Sequence, residues 1–295
     1  MQKRDKPWRR RRRDVNREPA PVVYRALVWL VRVVMPLVAR RHWAGQEHIP
    51  ATGPAIVVGN HISNFDPLVL GEYLIWSGRW VHYLGKSEIW KVPVLGWLGR
   101  ACEQIPVYRN TDRAAESLVH AREALARGQL VAIYPEGTIT RDPEGWPMSG
   151  RRGAAQLALM TGAPVVPVVQ VGSEKILGGH RIELRRLFSG RHDVYLKAGR
   201  AIDLSEFEGR ELTKELADEV TDRFLDALTA LPEEKLLRVQ EVRVELEPCD
   251  LPGPPASSVL CERCGESILD KREVRVDGQV RCQPCAAGRS RYPIT

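Results

Sequence analysis

Apolar positions along this chain come as short runs cut by turn residues, and their period changes in a regular alternation. The run Ala55-Ile56-Val57-Val58 is continuous, partly β-branched, and bounded by Gly53-Pro54 and Gly59. A run of that length with those flanks predicts a buried strand rather than a helix. After it, Asp66-Pro67 leads into Leu68-Val69-Leu70, the form of a cap, a first-turn proline and an apolar helix face. A helix is predicted from there to about residue 76, then strands over 80–85 and 104–108 with a Pro/Gly-broken stretch over 86–99 between them. The alternation continues with a helix over 112–127 closing on Gly128, a strand over 129–134, a helix over 152–161 closing on Gly162, and strands over 164–171 and 192–196. Leu212, Leu216, Val220, Phe224 and Leu228 recur every four residues and predict a further helix. Strand and helix in alternation predict an α/β fold with a mainly parallel central sheet flanked by helices. In such sheets the chemistry collects at the carboxyl ends of the strands.

Ahead of this pattern, residues 22–38 are mostly apolar, with Arg25 and Arg32 seven apart and so on nearly one helical face. An arginine at the centre of a spanning helix costs about 2.5–3.5 kcal/mol, and Pro36 weakens a span further. Residues 21–44 are therefore expected to form an amphipathic helix lying in the membrane interface. A helix packed on the protein's own core is the alternative. Charge bears on this choice: the formal net charge is +7, and Lys3, Arg4, Lys6 and arginines 9–13 precede any apolar periodicity. Residues 1–20 thus read as a disordered basic arm, suited to anionic lipid or, by the same charge, to nucleic acid. Seven of the eight tryptophans (Trp8, Trp29, Trp43, Trp76, Trp80, Trp90 and Trp97) lie in the first third of the chain. Because indole prefers the membrane interface, that third is expected to face the bilayer. The arm is too long, and lacks the small-residue cleavage site, for a signal peptide. The expected location is the cytoplasmic face of the cell membrane, peripheral or monotopic.

Candidate chemistry gathers at the predicted strand ends. His61 follows the 55–58 strand and Asp66 opens the next helix. On one helix their side chains would point about 140° apart, so the two can meet only if the intervening segment loops back. Such a pair suits general-base catalysis: a neutral imidazole takes a proton while a carboxylate on its other nitrogen fixes the tautomer. The bland alternative is a helix cap beside an ordinary turn histidine. Ile105-Pro106-Val107-Tyr108-Arg109 delivers a guanidinium, whose fork fits a phosphate. Tyr134-Pro135-Glu136-Gly137-Thr138 places a carboxylate, a glycine and a hydroxyl on a turn able to approach a ligand closely. Arg151-Arg152 precede a helix N-terminus, where anions are favoured.

These blocks, followed by Ala163-Pro164-Val165-Val166-Pro167-Val168, stand in an order that resembles the lysophosphatidic acid acyltransferase family of glycerolipid synthesis. The resemblance spans about residues 30–205 and implies the glycerolipid acyltransferase fold, with the acyltransferase domain at 45–246. It implies His61 as general base in a His-x4-Asp motif, Asp66 as its orienting partner, and Arg109 on the acceptor phosphate. It also implies acceptor binding by Glu136, Gly137 and Thr138, and a donor-site or packing role for Pro167. The implied substrates are acyl-CoA or acyl carrier protein and a lysophospholipid acceptor, with no catalytic cofactor. In one respect the chain departs: many members carry arginine directly after Glu-Gly-Thr, whereas Ile139 stands there. Arg141, Arg151 or Arg152 could supply that charge, or the acceptor differs, as with glycerol 3-phosphate or another lyso-lipid.

Residues 247–259 are rich in proline and read as a linker. Beyond it, in a segment over 260–288 with a tail over 289–295, stand Cys261-x2-Cys264 and Cys282-x2-Cys285, seventeen residues apart. That spacing predicts a four-cysteine zinc ribbon. So short a segment lacks the apolar surface to fold alone, and a structural zinc would supply the difference; disulfides are disfavoured in a reducing compartment. Cys102 and Cys249 stand alone. The basic arm and ribbon also admit a nucleic-acid or protein-binding module. Nucleic acid is disfavoured because the central region lacks a basic face interleaved with aromatics and the ribbon carries Glu262, Glu266, Asp270 and Asp277.

Overall fold

The structure, a computed structural model, describes residues 15–108, 114–142, 145–179, 181–230, 258–265, 267–269 and 273–286. The chain divides into two compact units, Met1–Arg238 and Val239–Thr295, against an expected boundary at 246/247. In the first unit a seven-stranded sheet has the order β1 (Ala39–Ala44), β7 (His192–Ala198), β6 (Val165–Val171), β2 (Ala55–Gly59), β5 (Leu130–Ile133), β3 (Val81–Lys86) and β4 (Ile105–Val107). Every pairing is parallel except β6 with β7. Helices α1 (Val22–Val38), α2 (Asp66–Trp76), α3 (Pro93–Ala101), α4 (Ala114–Ala126), α5 (Gly153–Thr161), the short α6 (Glu174–Leu177) and α7 (Lys214–Ala230) flank it.

Strand β2 lies at the centre and is buried along its whole length, which is why its sequence is a continuous apolar run rather than an alternation. Ala55 and Val57 point to the core shared with α2, where Val69, Leu70 and Tyr73 pack. Ile56 and Val58 point to the opposite core with Ala121, Leu157 and Phe224 from α4, α5 and α7. The period-two pattern of side chains thus divides one strand between two hydrophobic layers.

Three sequence expectations change. The helix expected over 21–44 ends at Val38, and residues 39–44 form β1, paired with 192–197 of β7. The sequence Arg40-Arg41-His42 hid the strand, because its inward Arg41 is charged; Glu72 pairs with that guanidinium at 2.7 and 2.8 Å in a buried site. The arm expected to be disordered to residue 20 is anchored from Asn16 onward. Arg79, fully buried, donates to Glu18 Oε1 and to the carbonyls of Pro50, Gly53 and Gly128, while Glu18 Oε2 accepts from Trp80 N–H. A buried guanidinium requires such partners, and Glu18 supplies the countercharge. The stretch over 86–99 is a 3-10 turn (Ser87–Lys91) followed by α3. Its glycines admit Trp90: a side chain at Gly96 would meet the Trp90 carbonyl oxygen at 2.2 Å, and one at Gly99 the indole at 3.0 Å.

Helix α1 packs on the core by one face and leaves an apolar face exposed. Tyr24, Val28, Met35 and Val38 are buried, while Trp29, Leu30, Val33 and Leu37 lie exposed on the other side. Exposed Val94, Leu95 and Trp97 of α3 add to the apolar surface of this unit. Trp76 and Trp80, by contrast, are core residues, packed with Cys102. Among the described residues no helix is long and apolar enough to cross a membrane.

The second unit contains two antiparallel hairpins, β8 (Ser258–Leu260) with β9 (Ser267–Leu269) and β10 (Val274–Val276) with β11 (Gln279–Arg281), then the short α8 (Gln283–Ala286). Asp277 and Gly278 both take positive φ, 52° and 79°, the geometry of the two-residue turn that joins twisted strands.

Candidate active site

The His61-Asp66 segment leaves the carboxyl end of β2 and bends back on itself. His61 Nδ1 lies 2.8 Å from Asp66 Oδ2, which also accepts the backbone N–H groups of Ile62 at 2.6 Å and Ser63 at 2.8 Å. Asp66 begins α2, but its carboxylate turns toward the loop rather than capping the helix. The second carboxylate oxygen accepts a very short bond from Ser173 Oγ. Four donors converge on one fully buried carboxylate, so Asp66 fixes the proton of His61 on Nδ1 and leaves Nε2 as the acceptor nitrogen. Ser173 and Ser63 tie this turn to the segment after β6: Ser63 Oγ donates to Gly178 O at 2.7 Å, and Asn64 Nδ2 to Gly179 O at 2.9 Å. Asn60 exchanges bonds with Gln170 of β6, N–H to Oδ1 and Nδ2 to carbonyl, each 2.9 Å.

The imidazole stacks on Tyr134, with ring centroids 4.3 Å apart and planes inclined by 16°. Burial pushes the Tyr134 and Tyr83 phenols well above their ordinary range, so both remain neutral rings beside the base. Glu136 bonds the backbone of this turn. One of its oxygens accepts His61 N–H and the other Met148 N–H, each at 3.0 Å, and burial raises its pKa against the pull of those bonds. Expected at the acceptor, Glu136 is instead 4% exposed with both oxygens engaged, and it braces the turn that carries His61.

A groove of about 410 Å³ opens over His61, lined by Gly137, Thr138 and Ile139 on one side and by Lys86, Ile89 and Trp90 on the other. Gly137 takes φ of 68° in closing the turn onto Tyr134 O, a conformation that favours glycine. Gly137 and Thr138 thus line the groove on this turn. Arg109 lies outside the described residues; Tyr108 before it lines an adjoining cavity with Arg151. Arg152 does not reach the groove: its guanidinium is held in two bonds to Asp218, at 2.5 and 2.8 Å. Arg141 is exposed and does not line the groove either. Pro167 sits in β6 opposite Val58, a packing position. Sequence reasoning missed Lys86, at the end of β3, and Ser173. Lys86 directly follows the strand predicted over 80–85 and was legible by the same rule that selected His61; Ser173 lies 107 residues from Asp66, and nothing local marks it.

An apolar cavity of about 360 Å³ lies between α1, α2 and α3, lined by Val28, Val31, Leu68, Ile75, Leu95 and Leu98. It shares Pro67, Tyr83, Gly99 and Gln104 with the groove over His61.

In the second unit, the Sγ atoms of Cys261, Cys264, Cys282 and Cys285 all lie within 4.8 Å of one another, and Cys264 and Cys282 are 3.7 Å apart. A tetrahedral zinc at 2.3 Å from each sulfur sets them about 3.8 Å apart, so the four thiols fit that ion and form no disulfide. Backbone N–H groups, led by that of Cys282, hold the Cys261 thiol down at about 6. Burial and the three neighbouring thiols push Cys285 up to about 12. All four positions are protein ligands, which makes the site structural rather than catalytic. Cys249 lies outside the described residues.

Residues 40–171 match the family model described as Acyltransferase, and residues 254–291 that described as Prokaryotic dksA/traR C4-type zinc finger. The chain is similar to the chloroplastic 1-acyl-sn-glycerol-3-phosphate acyltransferase BAT2 of Brassica napus, 31% identical over 135 residues, 45% of this chain and 38% of that protein. The 1-acyl-sn-glycerol-3-phosphate acyltransferase of Borreliella burgdorferi is 28% identical over 183 residues, 61% of this chain and 69% of that one. The chain spans little more than a third of the plant relatives it matches, 38% and 36% of their lengths. In fold it is similar to the crystal structure of the 1-acyl-sn-glycerophosphate (LPA) acyltransferase from Thermotoga maritima. The TM-score is 0.50 at 22% identity, covering 72% of this chain and 82% of that one.

Proposed function

We propose that this chain, whose residues 40–171 match the Acyltransferase family model and which is similar to 1-acyl-sn-glycerol-3-phosphate acyltransferases, moves a fatty acyl group from acyl-CoA or acyl carrier protein to the hydroxyl of lysophosphatidic acid, making phosphatidic acid. The observation that carries this reading is the His61-Asp66 pair at the carboxyl end of the central strand, with the imidazole lining an open groove. His61 Nε2 takes the proton of the acceptor hydroxyl as its oxygen attacks the thioester carbonyl. The imidazolium formed is stabilised by Asp66, and it returns the proton to the thiolate as the carbon–sulfur bond breaks. The chain's own residues suffice for this proton balance. Gly137 and Thr138 contact the acceptor from one wall of the groove. Lys86, with Arg109 and Arg151, supplies charge for its phosphate. The apolar cavity that shares residues with the groove takes a hydrocarbon chain.

The exposed apolar surfaces of α1 and α3, with Arg25 and Arg100 on them and Lys91 just before α3, support binding at an anionic membrane surface, peripheral or monotopic. A second reading of the acceptor rests on Ile139, which is 8% exposed and walls the groove where many family members carry arginine. An acceptor other than lysophosphatidic acid fits that apolar wall.

The test is transfer from labelled acyl-CoA to lysophosphatidic acid in anionic vesicles, wild type against His61→Ala. A positioned general base contributes roughly 10²–10⁴-fold, so the variant is expected to lose at least about a hundredfold while remaining folded. Retention of most of the activity would remove His61 from the mechanism. A folded, vesicle-bound wild type inactive on this acceptor but active on glycerol 3-phosphate or another lyso-lipid would favour the second reading.

A further inference from the structure

Residues 181–191, Arg-Ile-Glu-Leu-Arg-Arg-Leu-Phe-Ser-Gly-Arg, lie beyond the part of the chain matched by the acyltransferase model. The segment has an unusual surface for a soluble loop. Ile182, Leu184 and Phe188 are 61%, 63% and 88% exposed, three large apolar side chains within seven positions. Interleaved with them are Arg181, Arg185, Arg186 and Arg191, against the single carboxylate of Glu183. Scattered single apolar residues on a surface need no explanation, but a cluster of them rimmed by one sign of charge marks an interaction site.

The loop is also firmly built. A 3-10 turn (Leu184–Phe188) forms its middle, and Leu187 packs inward on the core beneath α2. Arg186 bonds Glu183 at 2.9 Å and holds that carboxyl below its ordinary range. Glu183 N–H bonds Leu177 O, and Ser189 Oγ meets His192 Nε2 at 2.9 Å. Leu187 is turned in and Arg186 tied down, and Arg185 stands 3.5 Å from the same carboxylate, while Ile182, Leu184 and Phe188 remain exposed. The loop follows Gly178 and Gly179, whose carbonyls accept Ser63 and Asn64 of the catalytic turn. It is therefore anchored to the same short stretch of backbone that positions Asp66.

We propose that residues 181–191 are a second membrane-contact element, separate from α1 and α3, which inserts Ile182, Leu184 and Phe188 among the lipids of an anionic bilayer while Arg181, Arg185 and Arg191 meet their head groups. Charge complementarity selects this occupant: four arginines facing one glutamate fit an anionic surface. Apolar side chains protruding singly between them suit the boundary between head groups and acyl chains, into which amphipathic elements sink by about 5–10 Å. A single-stranded nucleic acid would need aromatic platforms for its bases, and here two of the three apolar residues are aliphatic. Seated in this way, the loop holds the turn bearing His61 at the bilayer surface.

The inference is tested on the full chain by co-sedimentation with vesicles of phosphatidylcholine alone or with added phosphatidylglycerol. An arginine near an anionic surface is worth about 1 kcal/mol, roughly fivefold. Arg185→Gln with Arg191→Gln is therefore expected to lower partitioning onto anionic vesicles by at least about tenfold and to leave the neutral ones unchanged. Ile182→Ser with Leu184→Ser and Phe188→Ser is expected to lower partitioning onto both. Should the triple variant fail to fold, the arginine pair still decides, since both side chains are exposed and Arg185 meets Glu183 only in an exposed ion pair at 3.5 Å. Unchanged partitioning of the folded variants overturns the proposal. So does a change confined to oligomeric state, which would make the loop an interface between copies, or a change confined to salt-dependent binding of plain DNA. The readout is independent of acyl transfer: a protein that binds through this loop yet transfers no acyl group would sink the proposed reaction and leave the contact standing.

Discussion

At the scale of single residues, the candidate site is a problem of satisfying one buried carboxylate. Asp66 is fully buried, and besides the imidazole it orients, its carboxylate accepts three further donors, of which Ser173 Oγ is the only side chain among the described residues. A hydrogen bond to a charged group is worth about 1.5–3 kcal/mol. Ser173→Ala is thus expected to lower kcat by about tenfold or more while KM stays near wild type, since Ser173 touches no substrate. An equal rise in KM with unchanged kcat would show that it acts on binding instead. His61, Asp66, Gly137 and Thr138 were legible in the sequence because strand ends and turn chemistry are local patterns. Ser173 was not, because a serine after a strand is ordinary and its partner is set by how β6 lies beside β2. Arg152 misled for the complementary reason: a basic residue at a helix start predicts an anion, and the anion that answers is Asp218. Glu136 misled because a carboxylate in a ligand-facing motif reads as a ligand group until the backbone N–H groups it accepts are seen.

Elements show where local propensity yields to packing. The stretch over 86–99 looked broken because glycine and proline are poor in helices, yet α3 forms, with Pro93 at its start, where the missing N–H costs nothing. Replacing a helical glycine with alanine ordinarily stabilises by about 0.5–1 kcal/mol. At Gly96 the added carbon would stand 2.2 Å from a backbone oxygen, which has no rotamer to escape into, and overpacking of that kind costs about 1–3 kcal/mol. Packing wins, so Gly96→Ala is expected to lower the thermal midpoint and to speed proteolysis within 86–101. A raised midpoint would mean that α3 is free to shift away from Trp90. Helix α1 makes the converse point. Its apolar periodicity was legible, but one apolar stripe is covered by the core and another is left bare, and the pattern alone could not say which residues belonged to which.

For the molecule as a whole, the two units draw on different sources of stability. The first has two deep apolar layers on either side of a sheet, whereas among the described residues the second gathers only Ile268 and Val280 around its four thiols. So small a core cannot offset the entropy of ordering the hairpins, and metal binding there is folding free energy. Removing metal from the full chain with a strong chelator is expected to abolish slow amide exchange in residues 258–286 while that of β2, β5 and β6 persists. Protection retained at zero metal content would refute the structural-metal reading. Cysteine spacing made this unit legible without any periodicity, and strand-helix alternation did the same for the sheet. What the alternation could not give was strand order, and one consequence of that order concerns time rather than place. Strand β1 is made before every other strand of the sheet, yet among the described residues it pairs with β7 alone, about 150 residues downstream, and β7 also covers the open side of β6 in the antiparallel pairing. Contacts so distant in sequence form late, so a nascent chain that has not reached residue 198 carries an unpaired β1 and an uncovered edge at β6 beside a helix with a bare apolar face. Such a chain is prone to aggregate, and a lipid surface that receives α1 early would shelter it until β7 arrives.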